Sequence, residues 1–112
     1  MTQCYFIKKK IKSFKNSISV SGDKSISIRW VLLSSIANGI STAKNLLESE
    51  DVLAAVNVIR KLGIKVTIKN KKYKIYGKGI NGYKYKKGIL LNAQNSGTLG
   101  RLILGLLIDT PY

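Results

Sequence analysis

The chain has 112 residues, which is the length of one domain. Twenty Lys and Arg stand against five Asp and Glu, so the net charge is +15 and anionic partners are favoured. Hydrophobic residues make up 45% of the chain, which excludes a disordered protein. A single cysteine, Cys4, and the absence of histidine exclude an intrachain disulfide and a zinc site. No apolar run is long enough for a signal peptide or a membrane span, so we expect a soluble, cytoplasmic protein.

The first half of the chain is predicted to alternate between strands and helices. Residues 5–11 and 17–21 have the β-branched, aromatic and alternating pattern of strands. A helix is predicted over about 24–37, ended by an Asn-Gly pair, and a strand over 40–46 follows it. The apolar stripe predicted to be the buried face of this helix consists of Ile26, Trp30, Leu33 and Ala37.

The turn that opens this helix, SGDKSISIR at 21–29, is predicted to bind an anion. The first N–H groups of a helix have no intrahelical partner and the dipole is positive there, so phosphate or carboxylate is favoured. Lys24 adds a mobile point charge, and Arg29 adds a rigid fork of donors. Ser25 and Arg29 lie four residues apart, so they share one helix face if the helix has begun by Ser25.

A second helix is predicted to begin after Ser49, a plausible N-cap, and to run to Leu62. The acidic residues at 48, 50 and 51 suit the positive end of this helix, and capping explains their spacing better than catalysis does. The predicted buried face consists of Val52, Ala55, Val56, Ile59 and Leu62. A strand over 64–68, a turn over 69–72 and a strand over 73–76 then complete a strand, helix, strand, helix, strand, strand unit.

The C-terminal part begins with a loop over 77–87 and restarts the pattern with a short strand over 88–91. Eight lysines and four tyrosines lie between 69 and 87; a solvated hairpin explains this mixture more simply than single-stranded nucleic acid binding does. The turn NSGT at 95–98 resembles the first anion turn, and Thr98 and Arg101, three residues apart, repeat the Ser25 and Arg29 arrangement on the second helix. The helix that follows is apolar nearly all round, so it should be buried on most sides, but this chain is expected to offer little to cover it.

Four motifs, in this order and spacing, resemble the start of the 5-enolpyruvylshikimate-3-phosphate synthase family. They are SGDKSISIR at 21–29, NLLESED at 45–51, Leu62-Gly63, and NSGTLGR at 95–101. The resemblance implies an α/β fold of the inverse α/β barrel-like enolpyruvyl transferase type, with two domains of three βαβαββ units each. It also implies that residues 1–20 are strands of the second domain plus a hinge. Residues 21–112 would be part of the first domain, with unit one over about 17–76 and the start of unit two over about 88–112.

The resemblance further implies transfer of the enolpyruvyl group of phosphoenolpyruvate to the 5-hydroxyl of shikimate 3-phosphate, without metal or organic cofactor. Lys24 matches the lysine at the junction of both substrates, and Ser25 and Arg29 match shikimate 3-phosphate contacts. Gly97 matches the glycine beside phosphoenolpyruvate, in the turn where larger side chains interfere with glyphosate. Asn95 and Thr98 are expected to hold that turn.

The resemblance covers only an N-terminal fragment of the family's length, so this chain is expected to carry part of the substrate site. No residue in it matches the family's acid and base groups, and no transferase activity is expected from the chain alone. The full-length enzyme is expected to be a monomer that binds two small substrates, but neither nucleic acid nor membrane. The chain departs from the family pattern at Ser21, Ile28 and Gln94, of which Ile28 is expected to loosen the phosphate end of the site.

Three other interpretations remain open. UDP-N-acetylglucosamine enolpyruvyl transferase shares the fold, but its early motif has Asn where Ser25 follows Lys24 here. A small basic protein that binds nucleic acid through residues 69–87 is the alternative from another class, and its binding would weaken steeply with salt. The chain would otherwise be a non-functional remnant of a broken gene.

Overall fold

A three-stranded antiparallel sheet, covered on one face by helices, forms the centre of the protein. The computed structural model describes residues 3–111. The elements in chain order are α1 (Lys24–Ile36), β1 (Asn38–Lys44), α2 (Glu50–Lys61), β2 (Lys65–Lys69), β3 (Lys72–Lys78) and α3 (Gly97–Leu107). From residue 24 to 78 this order confirms the predicted helix, strand, helix, strand, strand succession.

The sheet has the order β1-β3-β2, so β3 is central and pairs with both neighbours. Its pairing with β2 starts at Lys69 and Lys72, and the two residues between them, Asn70 and Lys71, both have positive φ angles. Two consecutive positive φ angles are typical of the type I′ turn, whose twist matches that of the flanking strands. The predicted hairpin is therefore confirmed.

The buried face of α2 agrees with the prediction, whereas that of α1 does not. All five residues predicted for α2 are buried, because a single apolar stripe runs along this helix. In α1, Ile26 is 66% and Leu33 is 61% exposed, while Ile28, Val31 and Leu32 form the core face. The helix is apolar on two sides, so periodicity alone did not select the one that faces β3.

Serines accompany the apolar residues on the buried face of α1. The Ser35 hydroxyl donates to the Leu32 carbonyl oxygen at 2.6 Å and shares a 2.6 Å hydrogen bond with the Tyr83 hydroxyl. Burial raises the pKa of Tyr83, although this hydrogen bond opposes the effect. Because these hydrogen bonds satisfy its hydroxyl group, Ser35 is tolerated on the buried face of α1 although serine is polar.

The last helix, α3, is only partly covered, as expected for an apolar helix in a chain that offers little to cover it. Only Leu99 and Ile103 are buried on it, while Leu104 is 69% exposed. Among the described residues, α1 is the helix against which α3 packs. Because α1 covers only one stripe of α3, other apolar side chains of α3 stay in contact with solvent.

Three predicted strands are not formed. Residues 3–23 and 88–91 have no strand pairing in the described chain, and Tyr5, Phe6 and Ile7 are more than four-fifths exposed. The alternating pattern suits a strand, but a ladder also needs a partner with free N–H and C=O groups. No helix in the described range is long and apolar enough to cross a membrane.

Candidate anion-binding site

The first turn of α1 is fixed by the residues just before it. Asp23 is the N-cap, and its carboxylate accepts a hydrogen bond from the Ile26 N–H at 2.7 Å. Gly22 lies directly against the backbone of Asn45 and Leu47, and a Cβ atom at this position would collide with the Asn45 carbonyl oxygen. Glycine is therefore required here by close backbone approach, independently of any ligand.

Ser27 connects this turn to the loop that follows β1. Its hydroxyl donates to the Asp23 carbonyl oxygen at 2.6 Å and accepts from the Leu47 N–H at 3.0 Å. In the same loop, the Asn45 side-chain amide donates to the Val20 carbonyl oxygen at 3.3 Å. These bonds hold the start of α1 next to the start of α2.

Lys24 is the cation at this junction. Its Nζ lies 3.1 Å from Oδ2 of Asp51, in the first turn of α2, where Ser49 is the predicted N-cap. The side chain of Lys24 is 53% exposed and that of Asp51 is 17% exposed. The ion pair thus leaves the ammonium open to solvent while limiting its movement. Sequence reasoning treated Asp51 as a capping residue and missed this pair, which joins two residues 27 positions apart.

Ser25 and Arg29 both lie in α1 and share one face, as their spacing predicts. Ser25 is half-buried and Arg29 is exposed. Arg29 lines a groove of about 260 Å³ between α1 and α3, together with four leucines: Leu32, Leu33, Leu102 and Leu106. Within residues 3–111 Arg29 forms no ion pair, so its guanidinium group is available for an anion.

Ile28 lies in the hydrophobic core, next to Arg29 in the sequence. Its side chain is completely buried in the core, whereas the flanking Ser25 and Arg29 reach the surface. The expected loosening of the phosphate end by Ile28 stays a prediction, and a buried side chain would cause it through the packing of α1.

The second anion turn is held differently from the prediction. Ser96 is the N-cap of α3: its buried hydroxyl accepts from the Leu99 N–H at 3.1 Å, and its own N–H bonds the Ala93 carbonyl oxygen at 3.0 Å. In the described chain, no side-chain hydrogen bond of Asn95 or Thr98 supports this turn. A serine directly before an apolar helix is itself a capping signal, so Ser96 was predictable.

Gly97 is the first residue of α3 and is exposed. A Cβ atom at Gly97 would meet only Nη1 of Arg101, at 3.9 Å, so the space beside this glycine is open. Gln94 has a φ of +50°, in the left-handed region that a glycine adopts without strain.

The six predicted residues thus belong to two packed helices or to the turn before one of them. They are Lys24, Ser25 and Arg29 on α1, Gly97 and Thr98 on α3, and Asn95 just before α3. No direct bond joins the two sets within residues 3–111. The described residues also contain no group of three or more His, Cys, Asp or Glu side chains that would hold a metal ion. The arrangement offers cations and two helix starts, which is the chemistry of an anion site.

Comparison with known proteins places the chain in a family. A sequence model of the family described as EPSP synthase (3-phosphoshikimate 1-carboxyvinyltransferase) matches residues 8–111. The chain belongs to the EPSP synthase family. This finding confirms the resemblance drawn from the four motifs.

Family members of known sequence and structure agree with this assignment. The chain is 46% identical over 104 residues to the 3-phosphoshikimate 1-carboxyvinyltransferase of Sulfurihydrogenibium sp. (strain YO3AOP1). The aligned segment covers 93% of this chain and 24% of the relative. It is 43% identical over 103 residues to the enzyme of that name from Persephonella marina, covering 92% of this chain and 24% of the relative. The EPSP synthase structure from Acinetobacter baumannii superimposes with a TM-score of 0.75 at 36% identity, covering 85% of this chain and 22% of that one.

These matches confirm a partial α/β enolpyruvyl transferase fold. The chain spans about a quarter of the length of the curated relatives that it matches.

Proposed function

We propose that the chain supplies part of the substrate site of a 3-phosphoshikimate 1-carboxyvinyltransferase. This enzyme transfers the enolpyruvyl group of phosphoenolpyruvate to the 5-hydroxyl of shikimate 3-phosphate in aromatic amino acid biosynthesis. The observation that carries the proposal is the exposed pair of cations on α1, Lys24 and Arg29, at the start of a helix in an EPSP synthase family chain.

In this proposal α1 binds shikimate 3-phosphate. The guanidinium group of Arg29 donates two parallel hydrogen bonds to phosphate oxygens, and the Ser25 hydroxyl on the same face donates a third. Lys24 places its ammonium between the two substrates, where Asp51 restricts its position. Fixed cations offset the repulsion between two highly charged anions that must approach each other.

The start of α3 contributes to phosphoenolpyruvate binding. Its first backbone N–H groups favour a carboxylate or phosphate, and Gly97 leaves room for the ligand because its Cβ position is empty. Asn95 and Thr98 flank this turn and line its approach. Residues 1–20 belong to the second domain of the complete enzyme, which acts as a cytoplasmic monomer without a cofactor.

In the reaction the 5-hydroxyl oxygen loses its proton and adds to the enol carbon, while the methylene carbon gains a proton to give a tetrahedral intermediate. The bond from the former enol carbon to the phosphate oxygen then breaks and the methyl group loses a proton, which releases phosphate and restores the double bond. The contribution of this chain is to hold both anions in a reactive arrangement, which itself lowers the barrier. We assign no acid or base role to three of the five carboxylates, because Asp23 caps α1, Asp51 pairs with Lys24, and Glu48 pairs with Lys71 at 3.7 Å.

A chimera tests the proposal. Residues 8–111 replace the matching segment of the Sulfurihydrogenibium relative, and phosphate release from shikimate 3-phosphate and phosphoenolpyruvate is measured. We expect an active chimera in which Arg29→Ala raises the KM for shikimate 3-phosphate by about 10- to 100-fold, because a charged hydrogen bond is worth about 1.5–3 kcal/mol. Lys24→Ala should lower kcat/KM for both substrates.

The matched control is Lys86→Ala, which removes an exposed cation from the loop between β3 and α3 and should leave the kinetics unchanged. A folded chimera without activity would contradict the proposal, as would equal activities for Lys24→Ala, Arg29→Ala and Lys86→Ala. Activity with UDP-N-acetylglucosamine in place of shikimate 3-phosphate would support the alternative enolpyruvyl transferase.

A further inference from the structure

The face of the sheet turned away from α1 and α2 carries a regular array of lysines. Strand pairing places nine side chains on this face in three rows. The rows, each written in the order β1, β3, β2, are Lys44, Lys72, Lys69; Thr42, Lys74, Thr67; and Ile40, Tyr76, Lys65. We call these nine residues the lysine grid. It contains five positive charges and no acidic residue, and eight of its members are exposed.

The first row of the grid brings three ammonium groups side by side. Lys72 lies directly opposite Lys44 on one neighbouring strand and Lys69 on the other. Directly opposite side chains on adjacent strands have Cβ atoms only about 4.5–5.5 Å apart, and like charges at this spacing repel. Along β3, Lys74 follows Lys72 at the two-residue repeat of about 7 Å.

This charge is not neutralised within the described part of the chain. The ion pairs there are Lys24 with Asp51 and Lys71 with Glu48, and neither includes a grid residue. Lys71 lies in the turn beside the first row and forms an ion pair with Glu48. This nearby carboxylate therefore pairs with Lys71 and not with a grid lysine. An external anion would relieve the repulsion between the three lysines.

The shape of the surface indicates an extended anion. A shallow depression of about 520 Å³ lies over it, lined by Lys44, Thr67, Lys69, Asn70, Lys72, Lys74 and Tyr76. The lysines spread across three strands and along β3, which exceeds the reach of one phosphate group. A flexible chain of phosphates, by contrast, can follow a twisted sheet and meet several lysines in succession.

The single aromatic residue of the grid does not favour base recognition. The Lys65 ammonium lies 5.0 Å from the centre of the Tyr76 ring, so a cation already covers that ring face. We propose that the lysine grid binds the phosphate backbone of single-stranded nucleic acid without reading its bases. This surface is independent of the substrate site, since it lies on the opposite side of the sheet from α1 and α2.

The proposal departs from the expectation that the chain binds no nucleic acid. Sequence reasoning considered the lysines of 69–87 as one run and preferred a solvated hairpin. The fold divides that run: Lys69, Lys72 and Lys74 join the grid, while the lysines at 84, 86 and 87 lie in the loop after β3. Lys44 and Lys65 enter the grid from outside the run, and only strand pairing reveals this.

Fluorescence anisotropy with a labelled oligothymidylate of about twelve nucleotides tests the proposal, with the 112-residue chain and a series of salt concentrations. The variant Lys44→Thr, Lys69→Thr, Lys72→Thr removes the first row and keeps residues that suit strands. We expect affinity at low salt to fall by at least about tenfold. The slope of log affinity against log salt should fall by about 2, since each phosphate contact on a single strand contributes about 0.7.

The matched control, Lys84→Thr, Lys86→Thr, Lys87→Thr, removes the same charge from the loop and should weaken binding by less than about threefold. A second first-row variant with glutamines keeps long side chains, and circular dichroism checks the folding of all variants. Equal losses in row and loop variants would overturn the proposal, because they would reflect net charge alone. So would a lack of oligonucleotide binding at low salt, or binding to phosphatidylserine vesicles alone.

Discussion

Replacing Asp51 by Asn should free the Lys24 side chain at the junction of α1 and α2. The carboxylate oxygen lies 3.1 Å from the ammonium nitrogen, and the amide that replaces it has the same shape without the charge. The change therefore removes the ion pair while keeping the packing. It also removes a negative charge from the first turn of α2, where the helix dipole favours one.

The geometry sets the expected size of the effect. Two unit charges 3.1 Å apart attract by about 1.3 kcal/mol in a water-like dielectric. Lys24 is 53% exposed, so side-chain entropy and screening reduce the net value of the pair to about 0.5–1 kcal/mol. The lost dipole interaction of Asp51 adds about 0.3–1 kcal/mol. We expect Asp51→Asn to lower the free energy of unfolding by about 1–2 kcal/mol and Lys24→Ala by less than about 1 kcal/mol.

Urea denaturation of the two single variants and the double variant measures the pair by a double-mutant cycle. The coupling energy should be about 0.5–1 kcal/mol. Glu50→Gln is the matched control, because Glu50 is exposed in the same helix turn and should show only the dipole effect and no coupling to Lys24. A coupling energy near zero would refute the reasoning. A loss above about 2 kcal/mol for Lys24→Ala would make this lysine a structural residue instead.

Three further predictions concern packing and ionisation. In urea denaturation, Gly22→Ala should lower the free energy of unfolding by about 1–3 kcal/mol, because the added methyl group meets backbone atoms. Gly97→Ala should change it by less than about 0.5 kcal/mol, because the space beside Gly97 is open. Equal effects would contradict this difference in the space around the two glycines. Burial raises the pKa of Tyr83, so its contribution to stability is complete below the unfolded value of about 10 and is lost as pH rises through the folded pKa. Tyr83→Phe should flatten this alkaline loss, and an unchanged pH profile would contradict it. Ile103→Ala should cost about 2–4 kcal/mol and Leu104→Ala less than about 0.5 kcal/mol, with similar values contradicting the observed burial.

Local signals were sufficient for much of the fold. The five buried residues of α2 follow one stripe, and the N-cap Ser49 and the β2–β3 turn each have a short-range cause that the sequence displays. The stripe on α1 was wrong because that helix has apolar side chains on two faces. The exposure of α3 agrees with the sequence, because a helix that is apolar nearly all round needs more neighbouring elements than this chain offers.

The candidate site shows the same limit. The residue types and spacing of Lys24, Ser25 and Arg29 indicated an anion site, and the spacing of Ser25 and Arg29 correctly predicted a shared helix face. The partner of Lys24 was missed because no local pattern connects it to Asp51, and the two residues meet only through the packing of α1 on α2. The lysine grid likewise exists only once the three strands are paired.

The most direct test of the central claim is a nuclear magnetic resonance titration of the ¹⁵N-labelled 112-residue chain with shikimate 3-phosphate. We expect the amide signals of residues 24–29 to move first and together, and these shifts to disappear in the Arg29→Ala variant. Unchanged signals at saturating ligand would contradict the claim that the start of α1 binds this substrate. Shifts confined to the lysine grid would contradict this claim as well, because they would show that the ligand binds to a cluster of positive charge and not to the start of α1.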